Sequence, residues 1–127
     1  MERVIWKTHN GKKFLYINYS NLSAVNPAQK QEIFDTIRLA WEAVESTAPD
    51  EKIRFLSDVT NTTSSPDIMT KIKEFAAYTT ANDKVEKECV VGISAIQKIL
   101  VAGVNMFSKT KLVMFDSIGD ASDWLSR

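Results

Sequence analysis

The stretch Ile53-Arg54-Phe55-Leu56-Ser57-Asp58-Val59-Thr60-Asn61-Thr62-Thr63-Ser64-Ser65-Pro66-Asp67 is a strand that runs through a hydroxyl-rich loop into a helix. Residues 52–59 read as a short, mostly apolar strand of the kind buried in a sheet. Ser65-Pro66 then reads as a helix start, because proline fits the first helical position and serine the cap before it. Such a junction gathers side-chain hydroxyls, an acid and unpaired backbone N–H groups. That chemistry suits anion binding or phosphorylation. It equally suits a plain capped helix, in which Ser65 contributes about 1 kcal/mol as N-cap.

The same strand-to-helix grammar extends in both directions. Residues 3–8 and 12–19 read as two strands joined at His9-Asn10-Gly11-Lys12, where Asn-Gly is a strong hairpin signal. The first strand has the character of a sheet edge. Phe14-Leu15-Tyr16-Ile17 in the second is apolar on both faces, as an interior strand should be. Asn26-Pro27-Ala28-Gln29 opens a helix with Asn26 as cap and Gln29 completing the capping pattern. Ile33, Phe34, Ile37, Ala40, Trp41 and Val44 form its apolar stripe, and it should end before Pro49. The helix after Ser65-Pro66 is expected to bury Ile68, Met69, Ile72, Phe75 and Ala76, with 82–87 as a polar connection. Cys89 to Ile93 reads as a central strand. Ser94-Ala95-Ile96-Gln97 is a capping box opening a third helix that carries Ile96, Ile99, Leu100, Gly103, Val104 and Phe107. Lys111 to Phe115 is the last strand. Residues 117–126 form a final helix with Ile118, Ala121, Trp124 and Leu125 inward. The order β-β-α-β-α-β-α-β-α predicts a mostly parallel five-stranded α/β sheet with an antiparallel first strand.

Bulk properties narrow the class. With 127 residues the chain reads as a single domain, 1–127. Sixteen basic and sixteen acidic residues cancel, so no broad basic field recommends a nucleic acid. Lys71, Lys73, Lys84 and Lys87 are interleaved with Glu74, Asp83, Glu86 and Glu88, which reads as a solvated surface. Apolar runs fall short of the roughly 18 residues a spanning helix needs. A lone cysteine, Cys89, permits no internal disulfide. The first residues lack the apolar core of a signal peptide, and the expectation is a cytoplasmic protein.

Several segments, taken in order, resemble a known fold family. They are Phe14-Leu15-Tyr16-Ile17-Asn18-Tyr19-Ser20-Asn21-Leu22, Leu56-Ser57-Asp58-Val59-Thr60-Asn61-Thr62, Lys73-Glu74-Phe75-Ala76, Val90 to Leu100, and Ala121-Ser122-Asp123-Trp124-Leu125. Together they resemble the SpoIIAA-like fold of STAS and CRAL/TRIO domains, and most closely the small prokaryotic SpoIIAA-like proteins of unassigned function. In the anti-sigma-factor antagonists of that fold, a serine heading the second helix is phosphorylated within an Asp-Ser-Ser-Gly-like motif. The matching region here is Thr60 to Ser65. It departs from the motif, since Ser64-Ser65 is followed by Pro66. The resemblance supplies no catalytic residues.

In open α/β sheets ligands gather beyond the carboxyl ends of the parallel strands. The turns expected there are Ser20-Asn21, Thr60 to Ser65, Ser94 with Gln97, and Asp116-Ser117. Candidate binding or phosphorylation residues are therefore Asp58, Thr60, Asn61, Thr62, Thr63, Ser64, Ser65, Ser20, Asn21 and Ser94. Each has an ordinary structural alternative: Asp58 can bond loop amides, and Ser94 can cap a helix. Cys89 reads as a buried, inert thiol and His9 as a hairpin residue. With one histidine and one cysteine, neither a His/Cys zinc site nor a Ser/His/Asp triad is supported. Trp6, Trp41 and Trp124 read as core or rim. The segment Leu100, Val104, Met106, Phe107 suits core packing, or a lipid pocket by analogy with the CRAL/TRIO relatives.

The expectation is a non-enzymatic regulatory or interaction module whose partner surface is the loop between the third strand and the second helix. No cofactor, metal or catalytic residue is expected. A protein is the expected partner, with a small anion or lipid as alternatives, and the chain is expected to be a monomer or weak homodimer. The alternative function is a small-molecule or lipid carrier. An enzyme acting on a phosphorylated or acidic substrate has the least support.

Overall fold

A hairpin forms one edge of the sheet. In the computed structural model, which describes residues 2–94 and 112–127, β1 (Val4–His9) pairs antiparallel with β2 (Lys12–Asn18), His9 standing opposite Lys12. Asn10 and Gly11 take φ of 49° and 78°, the double positive φ that a type I′ turn demands. Helix α1 (Pro27–Glu45) leads to β3 (Ile53–Asp58), and α2 (Pro66–Ala81) to β4 (Val85–Val91). Strand β5 (Leu112–Phe115) and helix α3 (Ile118–Leu125) follow. The sheet order is β1-β2-β3-β4-β5, parallel from β2 onward. The expected mixed α/β sheet is thus observed, with β1 as its antiparallel edge. The helix expected after Ser94 lies outside the described residues.

The two faces of β2 explain its unbroken apolar run. Leu15 and Ile17 join the cluster that Ile33, Ile37, Ala40 and Val44 of α1 and Ile68 of α2 complete. Phe14 and Tyr16 face the other way, with Leu56, Cys89, Val91 and, from α3, Ala121 and Leu125. Leu15 and Leu56 have no exposed surface. Truncating either to alanine would cost roughly 2–5 kcal/mol.

Four local expectations are corrected. Strand β4 begins at Val85, so residues 85–87 are sheet and not a polar connection, and it ends at Val91, before Ile93. Tertiary partners make this tolerable: Glu86 pairs with Arg54 at 3.1 Å, and Lys87 Nζ donates to the Trp124 and Arg127 carbonyls, each at 3.1 Å. On α2, Ala76 is exposed and Thr79 is buried. The inward stripe runs Ile68, Ile72, Phe75, Thr79, and the Thr79 hydroxyl donates to the Ala76 carbonyl at 2.9 Å. On α3, Ile118 is exposed and Ser122 takes the buried place one turn on. Asn26 caps α1 by accepting from Gln29 N–H at 3.1 Å, but the Gln29 side chain reaches back to Ser23 N–H at 2.8 Å, not to the cap residue.

Lys84 precedes β4 and is 5% exposed. Its ammonium donates to Thr47 Oγ1 at 3.0 Å and to the Ala48 and Glu51 carbonyls at 2.7 and 3.4 Å. These acceptors tie the carbonyls beyond the α1 C-terminus to the start of β4, and all three ammonium protons have a partner.

Candidate functional site

Parallel pairing places Asn18 of β2 beside Asp58 of β3, so the chains leaving both strands run side by side. Backbone bonds lace them together. Tyr19 N–H donates to the Asp58 carbonyl at 2.8 Å, Asn21 N–H to the Thr60 carbonyl at 3.0 Å, and Thr63 N–H to the Leu22 carbonyl at 3.1 Å. Val59 N–H reaches across to the Val91 carbonyl at 2.9 Å, joining β4 to the same end.

Asp58 organises the floor of this region. It is 7% exposed. Its Oδ1 accepts from Thr60 N–H at 3.0 Å and from the Thr60 hydroxyl at 2.7 Å, and its Oδ2 accepts from the Tyr16 hydroxyl at 3.2 Å. Burial, then the Asp58 charge and its hydrogen bond, push the Tyr16 phenol up to about 12. The phenol therefore stays protonated and serves as a donor. Thr60 in turn packs against Gly92, which has φ of 80°. A Cβ at Gly92 would stand 2.1 Å from Thr60 Oγ1 and 2.7 Å from Thr60 Cα. Glycine is required there on both counts.

The next hydroxyls are also engaged. Thr62 Oγ1 donates to the Tyr19 carbonyl at 2.7 Å. Thr63 Oγ1 accepts from Ala24 N–H at 2.8 Å. Asn21 and Asn61 both adopt left-handed backbones, φ 61° and 53°, and Asn61 Nδ2 donates to Asn21 Oδ1 at 3.1 Å. Asparagine tolerates that conformation better than most residues. The exposed crest of the two loops thus comprises Asn21, Asn61, Thr63 and Ser64, with Val25 90% exposed beside them.

Ser65 departs from the expected capping role. Its backbone has the extended cap conformation, but its hydroxyl donates to Asp67 Oδ1 and makes no cap bond. Asp67 Oδ1 itself accepts from Ile68 N–H at 3.1 Å, while Oδ2 pairs with Lys30 at 2.8 Å. Those bonds, Lys30 first and Ser65 second, hold the Asp67 carboxyl down at about 2. The first turn of α2 therefore already holds a negative group of its own, which the helix dipole favours.

Ser20 sits beneath the crest, its N–H donating to Asn18 Oδ1 at 2.9 Å. Arg3 braces this turn, donating from Nη1 to the Asn18 and Ser20 carbonyls at 3.0 and 3.1 Å and pairing with Glu32 at 2.7 Å. Ser94 lies exposed on the β4 side of the same sheet end, and Gln97 lies outside the described residues. Ser117 caps α3 by accepting from Asp120 N–H at 3.1 Å. Ser20, Asn21, Asp58 and Thr60 to Thr63 are therefore brought into one network, and Ser65 into another with Asp67 and Lys30.

The remaining candidates lie elsewhere. Cys89 is 1% exposed, and burial, with a smaller push from Glu88, raises its thiol to about 12. His9 Nε2 meets Asp123 Oδ1 at 2.7 Å and ties the hairpin to α3. The Leu100–Phe107 segment, read as core or lipid lining, lies outside the described residues. No cluster of three potential metal-binding His, Cys, Asp or Glu side chains occurs among the described residues. No described helix is long and apolar enough to cross a membrane. Sequence reasoning missed Arg3. It read Lys84 and Glu88 as part of a solvated surface, and the structure corrects both: Lys84 is buried under the carbonyls beyond α1, and Glu88 is half-buried beside the apolar Cys89-Val90-Val91.

The architecture is similar to that in the crystal structure of an uncharacterized protein of the DUF3478 family with a SpoIIAA-like fold, from Shewanella loihica PV-4. The TM-score is 0.72 at 15% identity, over 96% of this chain and 91% of that chain. A likeness at that identity establishes the fold. No protein-family model matches the sequence, and no curated protein matches it.

Proposed function

We propose that this SpoIIAA-like domain is a non-enzymatic, cytoplasmic interaction or regulatory module that recognises a protein partner through the crest of the β2–α1 and β3–α2 loops. The observation that carries this reading is the double-loop network. Asp58, Thr60 and Tyr16 fix the crest from below, and the Asn21–Asn61 bond fixes it laterally. A surface held in one shape loses little conformational freedom on binding, which is the main advantage of preorganisation. Its exposed groups are amides and hydroxyls with one apolar side chain, Val25, a mixture suited to a protein surface.

The arrangement favours a protein over a free anion. The hydroxyls of Thr60, Thr62 and Thr63 are spent on internal bonds, and Asp67 already occupies the α2 N-terminus. The Ser64 hydroxyl is exposed and makes only a long contact, 3.5 Å to the Ser65 carbonyl. A phosphate there would bring close to two negative charges near Asp67 and Lys30 and change the electrostatics of the crest.

Site-specific photo-cross-linking in cells tests the proposal. A benzophenone side chain at position 64 should trap a discrete partner, and one at position 38 on the far side of α1 should not. Trapping only from position 38, or from neither, refutes the assignment.

A further inference from the structure

A second feature lies on the α1/α2 face of the sheet and shares Tyr19 with the support of the crest. A cavity of about 70 Å³ is lined by Tyr19, Phe55, Ser57, Phe75 and Glu88 among others. Thr79 on its wall spends its hydroxyl on the Ala76 carbonyl, but three other polar side chains are not consumed by the fold. Among the described residues, the Tyr19, Ser57 and Glu88 side-chain oxygens have no hydrogen-bond partner. No fully buried side-chain oxygen or nitrogen lacks a partner in the described residues. The Tyr19 hydroxyl, on a residue 7% exposed, must therefore keep a little accessible surface, and the cavity that Tyr19 lines supplies it.

The geometry points to a binding site for a small ammonium-type cation, held by the Glu88 carboxylate, the Tyr19 and Ser57 hydroxyls and the Phe55 and Phe75 rings. A carboxylate among apolar walls is costly unless it is protonated or paired with a positive charge. No described lysine or arginine supplies that charge. The aromatic walls favour a cation over their faces, and Phe55 and Phe75 stand edge to face with centroids 6.5 Å apart. At roughly 30 Å³ per water-sized group the cavity has room for about two, enough for a small ammonium head. Methylammonium, with one carbon and one nitrogen, matches both the size and the mixed lining. Its three N–H donors have three acceptor groups to meet.

Proton and cation compete for the same carboxylate. Burial raises the Glu88 carboxyl to about 7. The other titratable groups on the cavity wall, Tyr19 and Cys89, are both raised by burial and stay neutral near physiological pH. Glu88 is then the group whose charge governs occupancy.

Titration of the full chain with methylammonium chloride, followed by backbone amide shifts at constant ionic strength, tests the site. At about pH 8 the shifts of residues 57 and 88 should saturate, with a dissociation constant in roughly the millimolar range, the ceiling for two non-hydrogen atoms. Binding should weaken by about tenfold at about pH 6, as Glu88 takes up its proton. Glu88→Gln should abolish it, and Ser57→Ala should weaken it without unfolding the chain. Absence of saturation, an equal response to sodium chloride, or retention of binding in Glu88→Gln overturns the assignment.

Discussion

Replacing Glu88 with glutamine should stabilise the protein in neutral and alkaline solution and leave it little changed in acid. Burial raises this carboxyl from the ordinary 4.5 to about 7. A raised carboxyl favours the folded state while it is protonated. That contribution is complete below 4.5, declines as pH rises and is gone once pH has passed about 7. At about 1.36 kcal/mol per pH unit the full displacement corresponds to about 3 kcal/mol, a ceiling because the side chain keeps some contact with solvent. Glutamine has a similar shape and does not ionise, so it escapes the cost of charging. Urea unfolding at about pH 5 and about pH 8, in sodium buffers without amines, measures the difference between the two proteins. The native protein should lose 1 kcal/mol or more, up to about 3, relative to the variant between those conditions. Parallel pH profiles, or a variant less stable at about pH 8, would refute the argument that an unpaired carboxylate is confined in this cavity.

Other consequences follow from the crest and its supports. Gly92→Ala should destabilise by roughly 2–4 kcal/mol, because the new methyl meets Thr60 in a backbone already at positive φ; a loss below about 0.5 kcal/mol in denaturant unfolding would contradict the close approach. Asp58→Ala strands the Tyr16 and Thr60 donors and should cost roughly 2–3 kcal/mol, with the Tyr16 phenol falling from about 12 in an ultraviolet pH titration. The Asp67 carboxyl, held at about 2 chiefly by Lys30, should move up towards its ordinary 3.8 in Lys30→Met. Its contribution to stability is present above 3.8 and is lost as pH falls through about 2, so the variant should lose less on acidification. Carbon-detected NMR of the carboxyl follows that movement.

Local signals in the sequence account for the sheet and for much of the crest. Asn10-Gly11 specifies its turn because few other pairs accept two positive φ values. The double-sided apolar run of β2 predicts an interior strand because both faces need cover. The loop after β3 was legible as a polar junction for the same reason: Asp58, threonines and asparagines satisfy backbone groups where a strand ends. What stayed hidden depends on residues distant in the chain. Glu86 and Lys87 belong to a strand only because Arg54 and the α3 carbonyls receive them. Ser65 makes no cap bond because Asp67 Oδ1, held beside Lys30 of α1, takes the Ile68 N–H that a capping hydroxyl would accept. Arg3 braces Ser20 across the hairpin, a pairing that no local spacing announces.

The strand order bears on how the chain could assemble during synthesis. Each strand lies beside the one that preceded it in sequence. A nascent polypeptide emerging from the ribosome can therefore add β3 to an edge already made by β2, and β4 to one made by β3. No early strand has to leave a gap for a later one to fill, so intermediates expose a single growing edge. Only β1 and β2 are joined by a tight turn; the β2–β3 and β3–β4 pairings close across α1 and α2, which raises their closure entropy and slows those steps relative to the hairpin. A truncation series displayed on stalled ribosomes should accordingly gain protease resistance strand by strand, beginning from the hairpin.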